Sequence, residues 1–97
     1  MITVIVNFPT QDGATIESMA DAFNSTAPRY EGLPGLIRKY YLFDPKTAIG
    51  GGVYLWESRA QAEAFYDDEW RKRIVEKYGS APELRYFESP VIVDNAH

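Results

Sequence analysis

Cysteine is absent from the 97 residues, which removes disulfides, zinc ribbons, iron–sulfur ligation and thiol nucleophiles together. Histidine occurs once, at His97, where a chain end is expected to fray. An imidazole metal site or a His-based triad therefore has nothing to build on, and no G-x-S-x-G elbow is present. Basic charge is scarce. Ten Lys and Arg face fourteen Asp and Glu, for a net charge of −4, and such a chain repels phosphate backbones, so nucleic acid is not an expected partner. G-x-G-x-x-G and G-x-x-x-x-G-K-[ST] are both missing, and Gly50-Gly51-Gly52 leads into a strand instead of a helix N-terminus. Nucleotides and dinucleotide flavins are not expected either. Long apolar runs are lacking too, since nothing approaches the roughly 20 residues of a membrane span. The opening Met-Ile-Thr-Val has neither the basic nor the apolar region of a secretory signal. The expectation is one cytoplasmic domain over 1–97, with no membrane association.

What is present is apolar and aromatic: 45% hydrophobic residues and 14% Phe, Trp and Tyr. Ile2 to Phe8 is rich in β-branched residues and stops at Pro9, so it reads as a strand. Gln11 to Ala14 is a turn. From Thr15, residues Ile16, Met19, Ala20 and Phe23 recur at helical spacing, which predicts a helix to about Ala27. Pro28, Gly32, Pro34 and Gly35 break the chain; Leu36 to Phe43 and Gly51 to Trp56 read as strands joined across Lys46 to Ile49. The glycines of the third strand permit a bulge or the close approach of another backbone. Ser58 with Gln61 resembles a capping box before Ala62, Phe65 and Tyr66. Asp67 and Asp68 look like a fresh N-cap before Trp70, Ile74 and Tyr78, and Gly79 is the C-terminal cap. Leu84 to Val93 reads as a last strand interrupted at Pro90, bending away or lying at an edge.

The order β-α-β-β-α-β predicts an α+β, ferredoxin-like fold, a four-stranded antiparallel sheet with both helices on one face. Its other face should be polar if it met water. Thr3, Ile5 and Asn7 oppose Ile2, Val4, Val6 and Phe8, while Val53 and Leu55 oppose Tyr54 and Trp56, so both faces are partly apolar. A second copy packed face to face would cover such a patch; loops folded over the open side are the alternative.

The acidic run Asp67, Asp68, Glu69 points in several directions around a helix and suits its N-terminus, so no metal site is assigned to it. Arg71-Lys72-Arg73 reads as a solvated face. The rings remain. Tyr54 and Trp56 share a strand face, and Phe23, Phe65 and Trp70 lie on helical stripes that must meet the sheet. Asn7, if on that same face, is an amide among aromatics that needs either a backbone partner or a ligand.

The segments P-G-L-I-R-K-Y-Y from Pro34 and G-G-V-Y-L-W-E-S from Gly51, with the A-x-A-F-Y helix after them, resemble the YdhR-type monooxygenases of the dimeric α/β-barrel superfamily from Ile2 to about Val93. The resemblance implies a ferredoxin-like domain forming a homodimeric barrel. Antibiotic-biosynthesis monooxygenases carry a matching W-E-S, which would place Trp56 in a pocket between sheet and helices; their strand Asn would fall at Gly52 and their helical Tyr near Ala62. Haem-degrading relatives pair an Asn and a Trp that match Asn7 and Trp56, but their axial His would fall near Ile74, so haem degradation is not expected. Lys39 matches a basic position of the P-G-x-x-x-K segment; a solvated strand charge is its other reading.

The resemblance thus implies a cofactor-independent monooxygenase that needs no metal, with an aromatic or polyphenolic small molecule and O₂ as its partners. The substrate itself would supply the electrons, in a water-poor site. Asn7 and Trp56 are the catalytic candidates. Phe23, Lys39, Tyr54, Phe65, Trp70 and Ile74 are the substrate-binding ones, with Lys39 joining Asn7 at a developing oxyanion if it turns inward. No residue stands out as a general base. The competing reading is a non-catalytic small-molecule-binding or stress-response protein, which the missing groups at Gly52, Ala62 and Ile74 favour.

Overall fold

The computed structural model describes residues 1–96; the expectation for His97 falls outside the described residues. Strand β1 (Ile2–Pro9) is followed by helix α1 (Ile16–Thr26) and a 3₁₀ turn at Ala27–Arg29. Strands β2 (Leu36–Asp44) and β3 (Ile49–Trp56) form a hairpin, then come helices α2 (Arg59–Phe65) and α3 (Asp68–Tyr78) and strand β4 (Glu83–Glu88). The sheet order is β2-β3-β1-β4, with every neighbouring pair antiparallel, as in a ferredoxin-like fold.

Local chemistry sets the helix ends. Thr15 and Ser18 close a reciprocal capping box at α1, each side chain accepting the other's backbone N–H at 3.0 and 2.9 Å. Of the residues spaced for its inner face, Met19 and Phe23 are buried, while Ile16 and Ala20 are exposed. Ser58 accepts from the Gln61 N–H, but the Gln61 amide oxygen takes the Ser58 hydroxyl proton instead of returning to the cap backbone. Asp67 caps α3 by accepting from the Trp70 N–H at 2.8 Å, the break expected there, and Gly79 ends α3 in the left-handed region at φ 86°.

Ile2, Val4, Val6 and Phe8 line the helix-covered face of β1 and pack with Tyr54, Trp56, Met19, Phe23, Ala62 and Trp70 in the core. Gly51 lets β1 and β3 approach, because a Cβ there would stand 1.8 Å from the Val6 carbonyl oxygen. The last strand is shorter than its composition suggests. Strand pairing stops at Glu88; at the next residue the Ser89 N–H bonds to the Met1 carbonyl, Ser89 also bonds Thr3 through their hydroxyls, and Pro90 removes the next donor. The segment beyond it reaches the far edge of the sheet, where Asp94 pairs with Arg38 of β2 at 3.1 Å. On the helix-free face Tyr40 is 57% and Phe87 45% exposed, beside half-buried Ile5, Val53 and Leu55. No helix among the described residues is long and apolar enough to cross a membrane.

Candidate functional site

A cavity of about 510 Å³ lies between the helix-covered face of the sheet and helices α1 and α3, a size that suits a small aromatic ligand. Its floor is Val6 and Phe8 of β1 and Tyr54 of β3, and its walls include Phe23, Phe65, Trp70 and Ile74 from the helices. Exposed Ser25, Arg29, Glu76 and Lys77 form its outer part, where the Lys77 ammonium donates to the Ser25 hydroxyl at 3.0 Å and ties α3 to α1.

Lys39 enters this space because of an irregularity in β2. The register to β3 shifts between Leu36 and Arg38, so that Leu36 opposes Trp56 and Lys39 opposes Tyr54, both facing the helices although three residues apart. Strict alternation from Leu36 would have turned Arg38 and Tyr40 inward. Instead Lys39, Tyr41 and Phe43 point in, and Tyr40 points out. The stem of Lys39 passes Gly52, and its ammonium nitrogen sits 3.4 Å from the Tyr30 ring centroid, 3.8 Å from Tyr41 and 4.6 Å from Tyr54.

The ring cage is itself held in place. The Trp70 indole N–H donates to the Tyr30 hydroxyl at 3.3 Å. Thr26 donates its hydroxyl proton to the Phe23 carbonyl, so the Tyr41 hydroxyl, 2.7 Å away, is the donor to Thr26. Phe23 stacks on Tyr41 at 4.6 Å, and Tyr30 meets Tyr54 edge-on at 5.8 Å.

Burial sets the electrostatics. It pushes the Lys39 ammonium down to about 6, since desolvation penalises the charged form; the ring faces act in the opposite sense, attracting a cation. The two ion pairs among the described residues are Arg38–Asp94 and Arg59–Glu63, so no carboxylate pairs with Lys39. Burial also holds the Tyr54 and Tyr41 hydroxyls above the usual tyrosine range, and Tyr78 is pushed up to about 12 for the same reason. These phenols stay protonated and remain donors at neutral pH. Among the described residues no group of three Asp, Glu or His side chains is placed to hold a metal ion.

Phe23, Lys39, Tyr54, Phe65, Trp70 and Ile74 are brought together around the cavity. Asn7 and Trp56 are not. Asn7 opposes Gly51 from the helix-free face, because β1 alternates without interruption and its even-numbered residues take the core side. Trp56 is 1% exposed and lies behind the cavity, its indole N–H donating to the Tyr66 hydroxyl at 3.0 Å and its ring 5.3 Å from Phe65. The lining therefore includes Lys39, Tyr41 and Tyr54 but not the tryptophan, two register positions from the Lys39–Tyr54 pair. Sequence reasoning passed over Tyr30, which sits in a Pro/Gly-rich loop, and Tyr41, whose i+2 relation to Lys39 was the available signal. Arg73, assigned to a solvated face, lines the cavity.

A family model described as "Putative mono-oxygenase ydhR" matches residues 4–85. None of the curated proteins matches the chain. Among solved structures, a protein of unknown function from Nitrosomonas europaea superposes with a TM-score of 0.75 at 15% identity, covering 99% of this chain and 95% of that one. A monooxygenase from the gene ActVA-Orf6 of Streptomyces coelicolor, in complex with nanaomycin D, gives 0.72 at 16% identity over 98% and 92%. A mutant of SnoaB, a cofactor-independent oxygenase from Streptomyces nogalater, gives 0.66 at 15% identity over 95% of each chain. At these identities the structural likeness shows the fold alone.

Proposed function

Because the chain belongs to the ydhR mono-oxygenase family, we propose that it is a cofactor-independent monooxygenase whose substrate is an anthrone-like or other polyphenolic aromatic. The observation that carries this reading is an amine without a carboxylate partner inside a ring-lined cavity. An unprotonated Lys39 accepts the acidic proton of the substrate, and the ammonium so formed stays beside the resulting anion, with the faces of Tyr30, Tyr41 and Tyr54 around it. The hydroxyls of Tyr30 and Tyr54 supply hydrogen bonds to the oxyanion. The electron-rich ring then reduces O₂ directly. For an anthrone the ring CH₂ becomes C=O, one oxygen atom enters the product and the other leaves as water, so no external reductant is needed. Phe23, Phe65, Trp70 and Ile74 bind the rings and exclude water.

Lys39 also occupies the place beside Gly52, the position at which the resemblance would set the strand Asn of antibiotic-biosynthesis enzymes. Its amine takes over the polar role that Asn7, on the other face, does not reach. The same reading includes a homodimer, with a second copy on the helix-free face where Tyr40 and Phe87 are exposed.

The test is oxygen uptake with anthrone and hydroquinone substrates. Turnover that falls by about 100-fold or more in Lys39→Met supports the proposal. Absence of turnover across the panel, together with ligand-induced stabilisation, selects the non-catalytic binding protein instead. The empty positions Gly52, Ala62 and Ile74 are what favour that second reading.

A further inference from the structure

Of the four lysines, Lys46, Lys72 and Lys77 are exposed, and Lys77 is already engaged with Ser25. Lys39 alone has its amine among the ring faces of the cavity, a space large enough for a bicyclic compound, whereas Lys77 lies at its outer part. Its three close neighbours are ring faces, which leave the nitrogen lone pair uncommitted, and no ion pair among the described residues reaches it. An amine placed in this way can add to a carbonyl carbon as well as take up a proton.

We propose that Lys39 is a carbonyl-capturing nucleophile, and that the cavity holds an aromatic aldehyde or ketone as a covalent imine. The nitrogen forms a bond to the carbonyl carbon while that carbon's π bond to oxygen breaks. The proton that the amine loses ends on the oxygen, giving a carbinolamine. A second proton then converts the hydroxyl to leaving water as the C=N bond forms. No electron is gained or lost overall. The second proton comes from solvent through the outer part of the cavity; the Tyr30 and Tyr54 rings stand 3.4 and 4.6 Å from the amine, and burial keeps the Tyr54 phenol protonated, a hydrogen-bond donor and not the acid. The same burial favours the unprotonated amine at neutral pH. Once formed, a protonated imine would be a cation among three ring faces, which attract it. Phe65, Trp70 and Ile74 supply the surface for the aryl group.

This capture needs no O₂ and stands whether or not the protein oxygenates a phenol. The experiment is reductive trapping under nitrogen at pH 7, with 6-methoxy-2-naphthaldehyde and sodium cyanoborohydride, followed by intact-mass measurement and peptide mapping of all four lysines. Apart from labelling of the α-amine, one adduct is expected, on Lys39, at an occupancy roughly tenfold or more above that of any other lysine, with a trapping rate that saturates in aldehyde. Lys46→Met, outside the cavity, should keep the adduct and Lys39→Met should lose it, circular dichroism showing both variants folded. Labelling of Lys39 at or below the level of Lys46 and Lys72 overturns the proposal, as does a rate linear in aldehyde. Because mapping is read on the unmutated protein, the result holds even if a variant fails to fold.

Discussion

The stem of Lys39 uses room that Gly52 leaves open: a methyl group at Gly52 would stand 3.3 Å from Lys39 Cε, 3.2 Å from the Tyr54 ring and 3.0 Å from the Tyr40 carbonyl oxygen. Gly52→Ala must therefore move the stem or the ring. Turnover is expected to fall about tenfold, the effect of roughly 1.4 kcal/mol at the transition state, with a Tm close to that of the unmutated protein. Unchanged steady-state kinetics would show that the position of the amine is immaterial.

Lys39 gives two pH dependences of the same sign in different windows. Activity needs the neutral amine, so it is present above pH 6 and falls as pH drops through about 6, the value to which burial brings the group. Stability runs on the unfolded chain, where an ordinary lysine titrates near 10.4. The folded value is the lower one, so the unfolded state binds more protons between the two. The destabilisation is complete below about 6 and is regained as pH rises toward the unfolded value. Lys39→Met is therefore expected to stabilise the protein at pH 7 by roughly 1–3 kcal/mol after the cation–π offset, with the gap narrowing toward pH 10. Denaturant titrations at the two pH values measure it.

Much of this fold is legible from spacing and punctuation. Thr15, Ser58, Asp67 and Gly79 mark helix ends because each supplies a cap that a backbone group needs. The residues that line the pocket from the helices follow from stripes that had to face the sheet. Asn7 and Lys39 are different, since their faces depend on strand parity. β1 keeps its alternation, which sends Asn7 away from the rings, whereas β2 breaks it, which brings Lys39 in. No residue type announces a bulge of that kind, so Lys39 could be named from the sequence but its inward turn follows only from the register.

Gly51 is predicted to tolerate no side chain. A Cβ would lie 1.8 Å from the Val6 carbonyl oxygen, and φ of 152° is a region that favours glycine. Moving one of two hydrogen-bonded strands is the only relief. Gly51→Ala is expected to cost about 3 kcal/mol or more, seen as loss of the cooperative thermal transition.

The Trp56–Tyr66 bond separates structure from chemistry. Tyr66→Phe strands a buried indole donor, which costs about 1–3 kcal/mol, while the cavity lining is untouched. Both Tyr66→Phe and Trp56→Phe are expected to lower Tm and to keep turnover within about twofold, measured by oxygen uptake below the transition. A large loss of kcat in Trp56→Phe would return the indole to the reaction.

The helix-free face is testable by charge. Tyr40→Asp combined with Phe87→Asp puts two carboxylates where exposed rings now stand. Sedimentation at micromolar concentration is expected to show a dimer for the unmutated chain and a monomer for the double variant. A monomer in both cases removes the dimer from the proposal.

The nine residues of β2 contain two interchangeable triplets: Arg38, Tyr40 and Leu42 on one side, Lys39, Tyr41 and Phe43 on the other. Each offers a cation, a phenol and an apolar group, so greasiness alone cannot choose between them. The extra residue at Ile37 makes the choice. A strand slipped by one would present a guanidinium that never gives up its proton, and the same scaffold would enclose a permanent charge instead of a reactive nitrogen. The count of residues between Pro34 and Arg38 is thus a chemical parameter, and any loop exchange in that stretch edits the reactivity of the hollow without touching a residue that lines it.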